Sequence, residues 1–579
     1  MQTGTRLRHL FATLLLFCNP SDPSKLWDDF RVHICDDLDH RLRRMGFVNP
    51  ADTDVYDYGL FLLNTILQES GRSLPDFEMP LPERDWTVVG ENPLIAEQLD
   101  YNQAQERADA QANLARMNPE QLNAFNKVIE SVENGLGKVF FLSGAGGTGK
   151  TFVYNTLAHY LRGEFRIVLC VASSGISALL LRGGRTAHSV FKIPIDGLND
   201  ESTCAIPKES LRAGLMRATS LGIWDEAPMH NRKCHEAVDR TLRDLLGKDE
   251  LFGGLTWVLG GDPKQILPVV AKGTQEEIVE ASLFRSYLWR DIEVLTLTRN
   301  MRLDVGPEES QFGEWLLDIG YGRTNRHDNT VDLPPDMVCR DSNSLIDSVF
   351  PGVCGPTPPP NYFLERTILA ARNGDVDGLN EAVLDRMRGE SRMFASADNI
   401  VTEAGADDLE VNDAMPLEYL RSLDASGLPP GELTLKRGCP VILLRNLAPS
   451  QGLCNGTRLV IRRMSDRVLE AEILGGQHNG NIVFIPRITL TPSGSTTDFS
   501  FILSRLQFPI RLAFAISINK AQGQSVKYVG IDLRTPVFSH GQLYVALSRA
   551  TSRHRVTILL PSRNKENRTL NIVYPQIFQ

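Results

Sequence analysis

The stretch that most restricts this chain is Gly144-Ala145-Gly146-Gly147-Thr148-Gly149-Lys150-Thr151. It lies between an apolar run, Val139-Phe140-Phe141-Leu142-Ser143, and a helix-like segment, Phe152 to Ala158. Strand, glycine-rich loop and helix at the spacing G-x-x-x-x-G-K-[ST] make a phosphate loop for a nucleoside triphosphate. The glycines let successive backbone N–H groups turn toward phosphates that also sit at the positive end of a helix. Lys150 is then expected on the β- and γ-phosphates, and the Thr151 hydroxyl on Mg²⁺. ATP or a close relative is the expected ligand.

Around this loop, apolar runs alternate with helical patterns. The runs at 167–172, 220–224, 256–260 and 293–297 predict a parallel nucleotide-binding sheet. Asn118-Pro119-Glu120-Gln121 reads as an N-cap followed by proline at the first helical position. Two strands end in residues suited to hydrolysis. After Trp224 come Asp225, placed for the Mg²⁺ shell, and Glu226, placed to orient or deprotonate the attacking water. After Gly260-Gly261-Asp262-Pro263-Lys264 comes Gln265, a candidate sensor of the γ-phosphate. Charge on a transferring phosphoryl group calls for arginines. Arg302 and Arg549 stand in corresponding contexts, with Arg299 as a rival to Arg302.

The chain has 579 residues, enough for three to four domains, and its 42% apolar and 23% charged content is ordinary for a globular protein. Its nine cysteines form no Cys-x-x-Cys pair and no zinc spacing, which argues against a metal centre or disulfide framework and fits a reducing compartment. The net charge of −10 is unevenly spread: residues 436–579 hold 19 Lys and Arg against six Asp and Glu. A basic late region in an acidic chain is expected where one face meets a polyanion. No run approaches the length of a membrane span. Leu10 to Cys18 is apolar behind Arg6 and Arg8, but Asn19-Pro20 stands where a signal cleavage site would be, so a buried helix is expected.

Residues 1–105 read as mostly helical, with helix-spaced apolar residues over 25–45 and 55–69 and a proline-punctuated connector from Pro75 to Pro93. Residues 106–294 are expected to form a first sheet lobe. Residues 295–435 form part of a second lobe, with a loop-rich stretch ending in Pro358-Pro359-Pro360. Short β-rich runs broken by glycines suggest a small β-barrel inserted at 436–506, and 507–579 returns to the second lobe, including a run at 511–517. The fold class is therefore α/β, with two parallel-sheet lobes flanking the nucleotide.

The ordered set GAGGTGKT (144–151), DEAPM (225–229), GGDPKQILPV (260–269), LTRNMR (297–302), INKAQGQS (518–525) and YVALSRA (544–550) resembles a superfamily-one DNA helicase of the petite-integration-frequency family. KLWDDF (25–30), RTAHSVFKIPI (185–195), VDRTLRD (238–244) and GLCNGTRL (452–459) are similar to the helicase half of Helitron rolling-circle transposon proteins. The resemblance runs from about residue 10 onward. It implies two RecA-like lobes and an ATP-driven, Mg²⁺-dependent motor moving 5′ to 3′ on single-stranded DNA and opening forked DNA. It also implies nuclear residence in a eukaryote. Gln121 matches the adenine-contacting glutamine. Ser173, Ser174, Gly175, Thr186, His188, Ser189, Asn519, Lys520, Gln522 and Gln524 match positions that face DNA or couple it to ATP, and small hydroxyl and amide groups suit a grip on the sugar-phosphate backbone.

The segment at about 189–215 corresponds to a strand-separating wedge, in which Phe191 is either a base-stacking aromatic or a core residue. Pro263-Lys264 departs from the family's aromatic and arginine. No His-x-His triplet occurs, so the nicking nuclease of complete transposon proteins is not expected in this chain. Two other activities fit the same residues: a DNA-stimulated ATPase that remodels nucleoprotein without unwinding, and a transposon-derived remnant that only binds nucleic acid.

Overall fold

The computed structural model describes residues 3–18, 20–45, 47–69, 71–86, 92–195, 197–303, 306–355, 359, 361–401, 416–425, 427–492 and 501–578. Pro358 and Pro360 of the triproline, and 493–500 of the expected barrel, lie outside them.

The first lobe is built on six strands: β1 (Val139–Gly144), β2 (Ile167–Ala172), β3 (Arg185–Thr186), β4 (Thr219–Asp225), β5 (Thr256–Gly261) and β6 (Glu293–Leu297). They pair in parallel in the order β3-β2-β4-β5-β1-β6. Every residue of β2 and β5 is buried, as the unbroken apolar runs require of a sheet covered on both faces. One face carries Phe191, Trp224 and Trp257 in a single aromatic cluster. Phe191 lies 6.0 Å from Trp224 in a stacked geometry and is 1% exposed. Phe191 is therefore a core residue, and its expected alternative role in base stacking is corrected.

The second parallel sheet has five strands in the order Ala515–Ser517, Arg366–Ala370, Tyr528–Asp532, Val556–Leu559, Val338–Cys339. The expected strand over 511–517 is two strands. Ile510–Leu512 pairs antiparallel with Pro440–Leu443, whereas Ala515–Ser517 joins the parallel sheet. A single apolar run has no period that marks where the chain changes sheets.

The barrel-like region consists of antiparallel sheets. Pro440–Leu443, Arg458–Met464, Val468–Leu474 and Ile482–Pro486 form a meander. Antiparallel strands also occur outside 436–506: Ser391–Ala395 pairs with Glu432–Lys436, and Ala397–Val401 with Ile502–Gln507. Arg505, 0% exposed, ties this region together. Its guanidinium meets both Asp398 oxygens and donates to the carbonyls of Leu420, Leu423 and Pro429.

The N-terminal region is helical, as expected. The helix Thr3–Cys18 buries Phe11, Ala12 and Leu15 in a cluster with Trp27, Leu38 and Leu63. The pattern expected over 25–45 is two helices, Pro23–Ile34 and Leu38–Arg44. Phe17 packs against the core of the antiparallel region, so the first helix bridges two parts of the chain. No helix among the described residues is long and apolar enough to cross a membrane.

Candidate active site: a nucleotide cleft between two lobes

The phosphate loop links β1 to the helix Lys150–Gly163. Gly147 and Gly149 hold φ of 95° and 88°, a left-handed conformation that costs a side-chain-bearing residue about 1–2 kcal/mol. A Cβ on Gly149 would collide with the Gln121 amide, so glycine is needed there on contact as well. Asn118 caps the helix Pro119–Glu133 and forms a reciprocal capping box with Gln121. The Gln121 amide also donates to the Thr148 carbonyl at 3.0 Å. Gln121, expected on adenine, therefore braces the loop with both ends of its amide occupied.

Lys150 is buried, and its Nζ donates to the carbonyls of Gly144 at 2.7 Å and Ala145 at 3.4 Å. The ammonium thus rests in the loop's own mouth. β4 delivers Asp225 and Glu226, both nearly inaccessible. Glu226 takes a left-handed φ of 52°, and its N–H donates to Asp225 Oδ1 at 2.9 Å. Burial and the adjoining Glu226 carboxylate push the Asp225 carboxyl up to about 7, against the pull of Lys150.

Two arginines close the cleft, Arg302 from the segment that follows β6 of the first sheet and Arg549 from the second lobe. A Cβ on Gly146 would lie 3.4 Å from Arg549 Nη2 and 3.5 Å from Arg302 Nη1, so both guanidiniums border the phosphate loop. Arg549 is 1% exposed, and carbonyls of its own lobe hold it: Val545 at 2.9 Å and Gln524 at 2.9 Å. Arg302 Nη1 donates to the Ser548 carbonyl at 3.1 Å. Burial and the neighbouring Arg549 charge pull Arg302 down to about 10. Two guanidiniums held together without a carboxylate hydrogen-bond partner suit a polyanionic ligand. Arg299 does not line the cleft, whereas Arg302 does, together with Gly146, Lys150, Thr151, Asp225 and Gln265, in a cavity of about 260 Å³.

Three further contacts across the lobes escaped the sequence reading. Gln522 is 3% exposed and donates from Nε2 to Glu226 Oε2 at 3.1 Å. Gln522 Oε1 and Gln265 Oε1 are buried and lack hydrogen-bond partners. Tyr544, five residues before Arg549, donates its hydroxyl to Asp262 Oδ2 at 2.8 Å. Lys264 turns inward, pairing with Asp262 at 2.7 Å and lying 5.0 Å from the Tyr321 ring, so it is spent on the core rather than offered to a ligand. Tyr544 shares a short word with Arg549 and Lys264 one with Asp262, whereas INKAQGQS, which holds Gln522, contains neither an arginine nor an acid.

The remaining expected residues divide. Ser173, Ser174, Thr186, His188 and Ser189 lie half-buried along the ends of β2 and β3. Gly175 is covered by the Asn455 carbonyl, because GLCNGTRL folds back onto it. Asn519 accepts from Gln542 at 3.0 Å, Gln524 donates to the Lys520 carbonyl, and Lys520 itself is exposed. Gln522 does not share their surface: it belongs to the cleft.

Two parallel sheets, with a phosphate loop and Arg302 from the first and Arg549 from the second, define a two-lobed P-loop nucleotide-binding fold. The family model for PIF1-like helicases matches residues 116–330, and that for the 2B domain of the DNA helicase Pif1 matches residues 418–464. Over these two segments the chain is similar to the PIF1-like helicases. It is 27% identical over 454 residues to ATP-dependent DNA helicase PIF1 of Xenopus laevis, covering 77% of this chain and 61% of that protein. It is 26% identical to ATP-dependent DNA helicase Pif1 of a Psychrobacter species, covering 73% of this chain and 66% of that protein. The chain thus spans less than two thirds of either relative's length. Its fold matches the crystal structure of Bacteroides Pif1 bound to ssDNA, with a TM-score of 0.56 at 24% identity, covering 76% of this chain and 91% of that one.

Proposed function

We propose that this chain is an ATP-dependent DNA helicase that translocates on single-stranded DNA, 5′ to 3′, and couples hydrolysis between its lobes to duplex unwinding. The observation that carries this reading is the reach of Arg549 and Arg302 to the phosphate loop, into the cavity lined by Lys150, Asp225, Glu226 and Gln265. The relatives' names and the single-stranded DNA bound to Bacteroides Pif1 support the choice of nucleic acid. The solved structure of two coordinating Pif1 helicases at forked dsDNA supports forked DNA as the substrate. The narrower likeness to Helitron proteins rests on KLWDDF and the other words quoted above, and implies a nuclear protein if the source is eukaryotic.

Each cleft residue then has a task. Lys150 exchanges its loop carbonyls for the β- and γ-phosphates. Glu226, held by Gln522, orients a water and takes its proton, while the unpartnered Oε1 of Gln265 accepts from the same water. Arg302 and Arg549 take up the charge that develops on the phosphoryl oxygens. Thr151 and Asp225 fit Mg²⁺, since buried paired carboxylates beside Lys150 leave a charge deficit that a divalent cation relieves. When bound, Mg²⁺ would neutralise charge on the phosphates. Closure is favoured while the arginines have phosphates to bind and weakens once the γ-phosphate has left, which is the stepping cycle.

Ser173, Ser174, Thr186, His188, Ser189, Asn519, Lys520 and Gln524 form the reading's DNA track, with the basic late region holding the strand. The antiparallel strands from Ser391 to Leu512 delimit the insert, a wider span than 436–506. The test is ATP turnover with and without single-stranded DNA, then unwinding of duplexes bearing 5′ or 3′ tails. Turnover stimulated by DNA and unwinding only from a 5′ tail are expected. Stimulation without unwinding would point to a remodelling ATPase instead, and DNA binding without turnover to a remnant.

A further inference from the structure

The turn Asp262 to Gln265 follows β5 of the first lobe, yet residues of the second lobe seat it. His540 accepts the Tyr574 N–H on Nδ1 at 2.9 Å, so its other nitrogen, Nε2, is the donor to the Pro263 carbonyl at 3.0 Å. Gly541 follows with a left-handed φ of 72°, and a Cβ there would collide with the Lys264 carbonyl. Tyr544 then donates its hydroxyl to Asp262 Oδ2 at 2.8 Å. Its helix, Gln542–Leu547, runs directly into Ser548 and Arg549.

Asp262 is the hub of this junction. A carboxylate offers about four acceptor sites, and each has a donor here. Oδ1 receives the Lys264 N–H at 3.2 Å and the Lys264 ammonium at 2.7 Å. Oδ2 receives the Tyr544 hydroxyl and, at 3.4 Å, Gln265 Nε2. Asp262, Lys264, Gln265 and Tyr544 are each at most 5% exposed, so water has little access to them. Because an amide is planar, Nε2 pinned on the carboxylate sends Oε1 of Gln265 the other way. Gln265 lines the nucleotide cavity, and its Oε1 is buried without a hydrogen-bond partner among the described residues. A flipped amide would set Oε1 against the Asp262 carboxylate, oxygen against oxygen.

We propose that Tyr544 is a positioning residue that aims the Gln265 amide through Asp262, so that the second lobe governs the Gln265 carbonyl oxygen as well as supplying Arg549. The Gln265 bond is the longest of those on Asp262 and the one that yields. Without the tyrosine hydroxyl, Oδ2 is a buried acceptor short of a donor, which is costlier than an ordinary hydrogen bond is favourable. Gln265 Nε2 moves in to fill it, and the planar amide carries Oε1 away from the cavity. This rests on the reading above in which Gln265 accepts from the attacking water, and it gives Tyr544 a task which that reading does not assign.

The test uses the full chain with Tyr544→Phe, Gln265→Ala and the two combined. Tyr544→Phe removes the hydroxyl and keeps the ring that lies 5.8 Å from the Lys264 ammonium. ATP turnover is measured with saturating oligo-dT. We expect kcat to fall about fivefold in Tyr544→Phe, the rate equivalent of one net hydrogen bond, with KM for ATP unchanged. In the Gln265→Ala background Tyr544→Phe should have no further effect, because the group through which it acts is gone. Wild-type kcat in Tyr544→Phe would overturn the inference, as would a KM that rises while kcat falls. A fall of the same size in the Gln265→Ala background would overturn it too, since Tyr544 would then act through Arg549 or the fold. Wild-type turnover in Gln265→Ala would remove the role assigned to Gln265 above, and the inference with it.

Discussion

Gln522 Nε2 lies 3.1 Å from Glu226 Oε2, joining residues 296 positions apart across the cleft. Gln522 follows Asn519 and Lys520 in a segment of the second lobe, and Glu226 is the acid proposed to activate water. Gln522→Leu should leave that carboxylate without its donor. Hydrogen bonds to charged groups contribute about 1.5–3 kcal/mol, so turnover should fall by about 10- to 100-fold. Steady-state kinetics with saturating single-stranded DNA checks this, and an unchanged rate would separate the contact from catalysis.

Lys150→Ala should abolish turnover and weaken nucleotide retention, because it removes the ammonium that rests in the mouth of the loop. Glu226→Gln should retain ATP without hydrolysing it. A filter-binding measurement beside a phosphate-release assay distinguishes the two, and an active Glu226→Gln would remove its assigned role.

Arg549→Ala should lower turnover by about 10³-fold or more, the effect typical of an arginine acting on a transferring phosphoryl group. Arg302→Ala should resemble it if both guanidiniums serve one charge. Single-turnover hydrolysis measures each, and the double variant should lose less than the product of the two, because the arginines share neighbours.

Asp225 supplies a pH prediction. Its carboxyl is raised from 3.8 to about 7 by burial and by Glu226, so the folded apoprotein binds this proton more tightly than the unfolded chain does. The proton's contribution to stability is therefore present at low pH and is lost as pH rises from about 4 through about 7. Asp225→Asn should melt at a higher temperature than the wild type at pH 8, with the difference shrinking toward pH 5. Adding Mg²⁺ at pH 8 should raise the melting temperature of the wild type and not that of Asp225→Asn. Thermal melts across that range test both expectations.

Asp398→Ala should destabilise the antiparallel region by about 3–5 kcal/mol, because it leaves Arg505 as an uncompensated buried charge. Replacing Arg505 and Asp398 together with Met and Leu should recover much of the loss. Denaturant melts of the two variants beside the wild type measure the difference.

The local chemistry of the cleft was legible in the sequence. Gly144 to Thr151, the acids after Trp224 and the arginines in LTRNMR and YVALSR each sit in a short word whose residue types follow from phosphate chemistry. The strands at 167–172 and 293–297 appear with the expected bounds, because continuous burial marks the first and alternation the second. Phe191 was ambiguous, since an aromatic near a ligand segment has the same composition whether it faces a core or a base. Gln522 was left open between facing DNA and coupling it to ATP for a related reason. Its neighbours Asn519 and Lys520 lie toward the outside, and the turn that swings Gln522 inward leaves no periodic trace.

What the sequence alone determined is which short words supply the residues around the phosphate loop and on which kind of element each sits, since those demands are local: a left-handed glycine, a helix start, an acid at a strand end. Only the tertiary structure decided how the halves meet. The Gln522–Glu226 and Tyr544–Asp262 bonds, the burial of Lys264 and the sheet change between Leu512 and Ala515 all join residues far apart in the chain or depend on them. Their energy comes from excluding water between surfaces that no single segment contains.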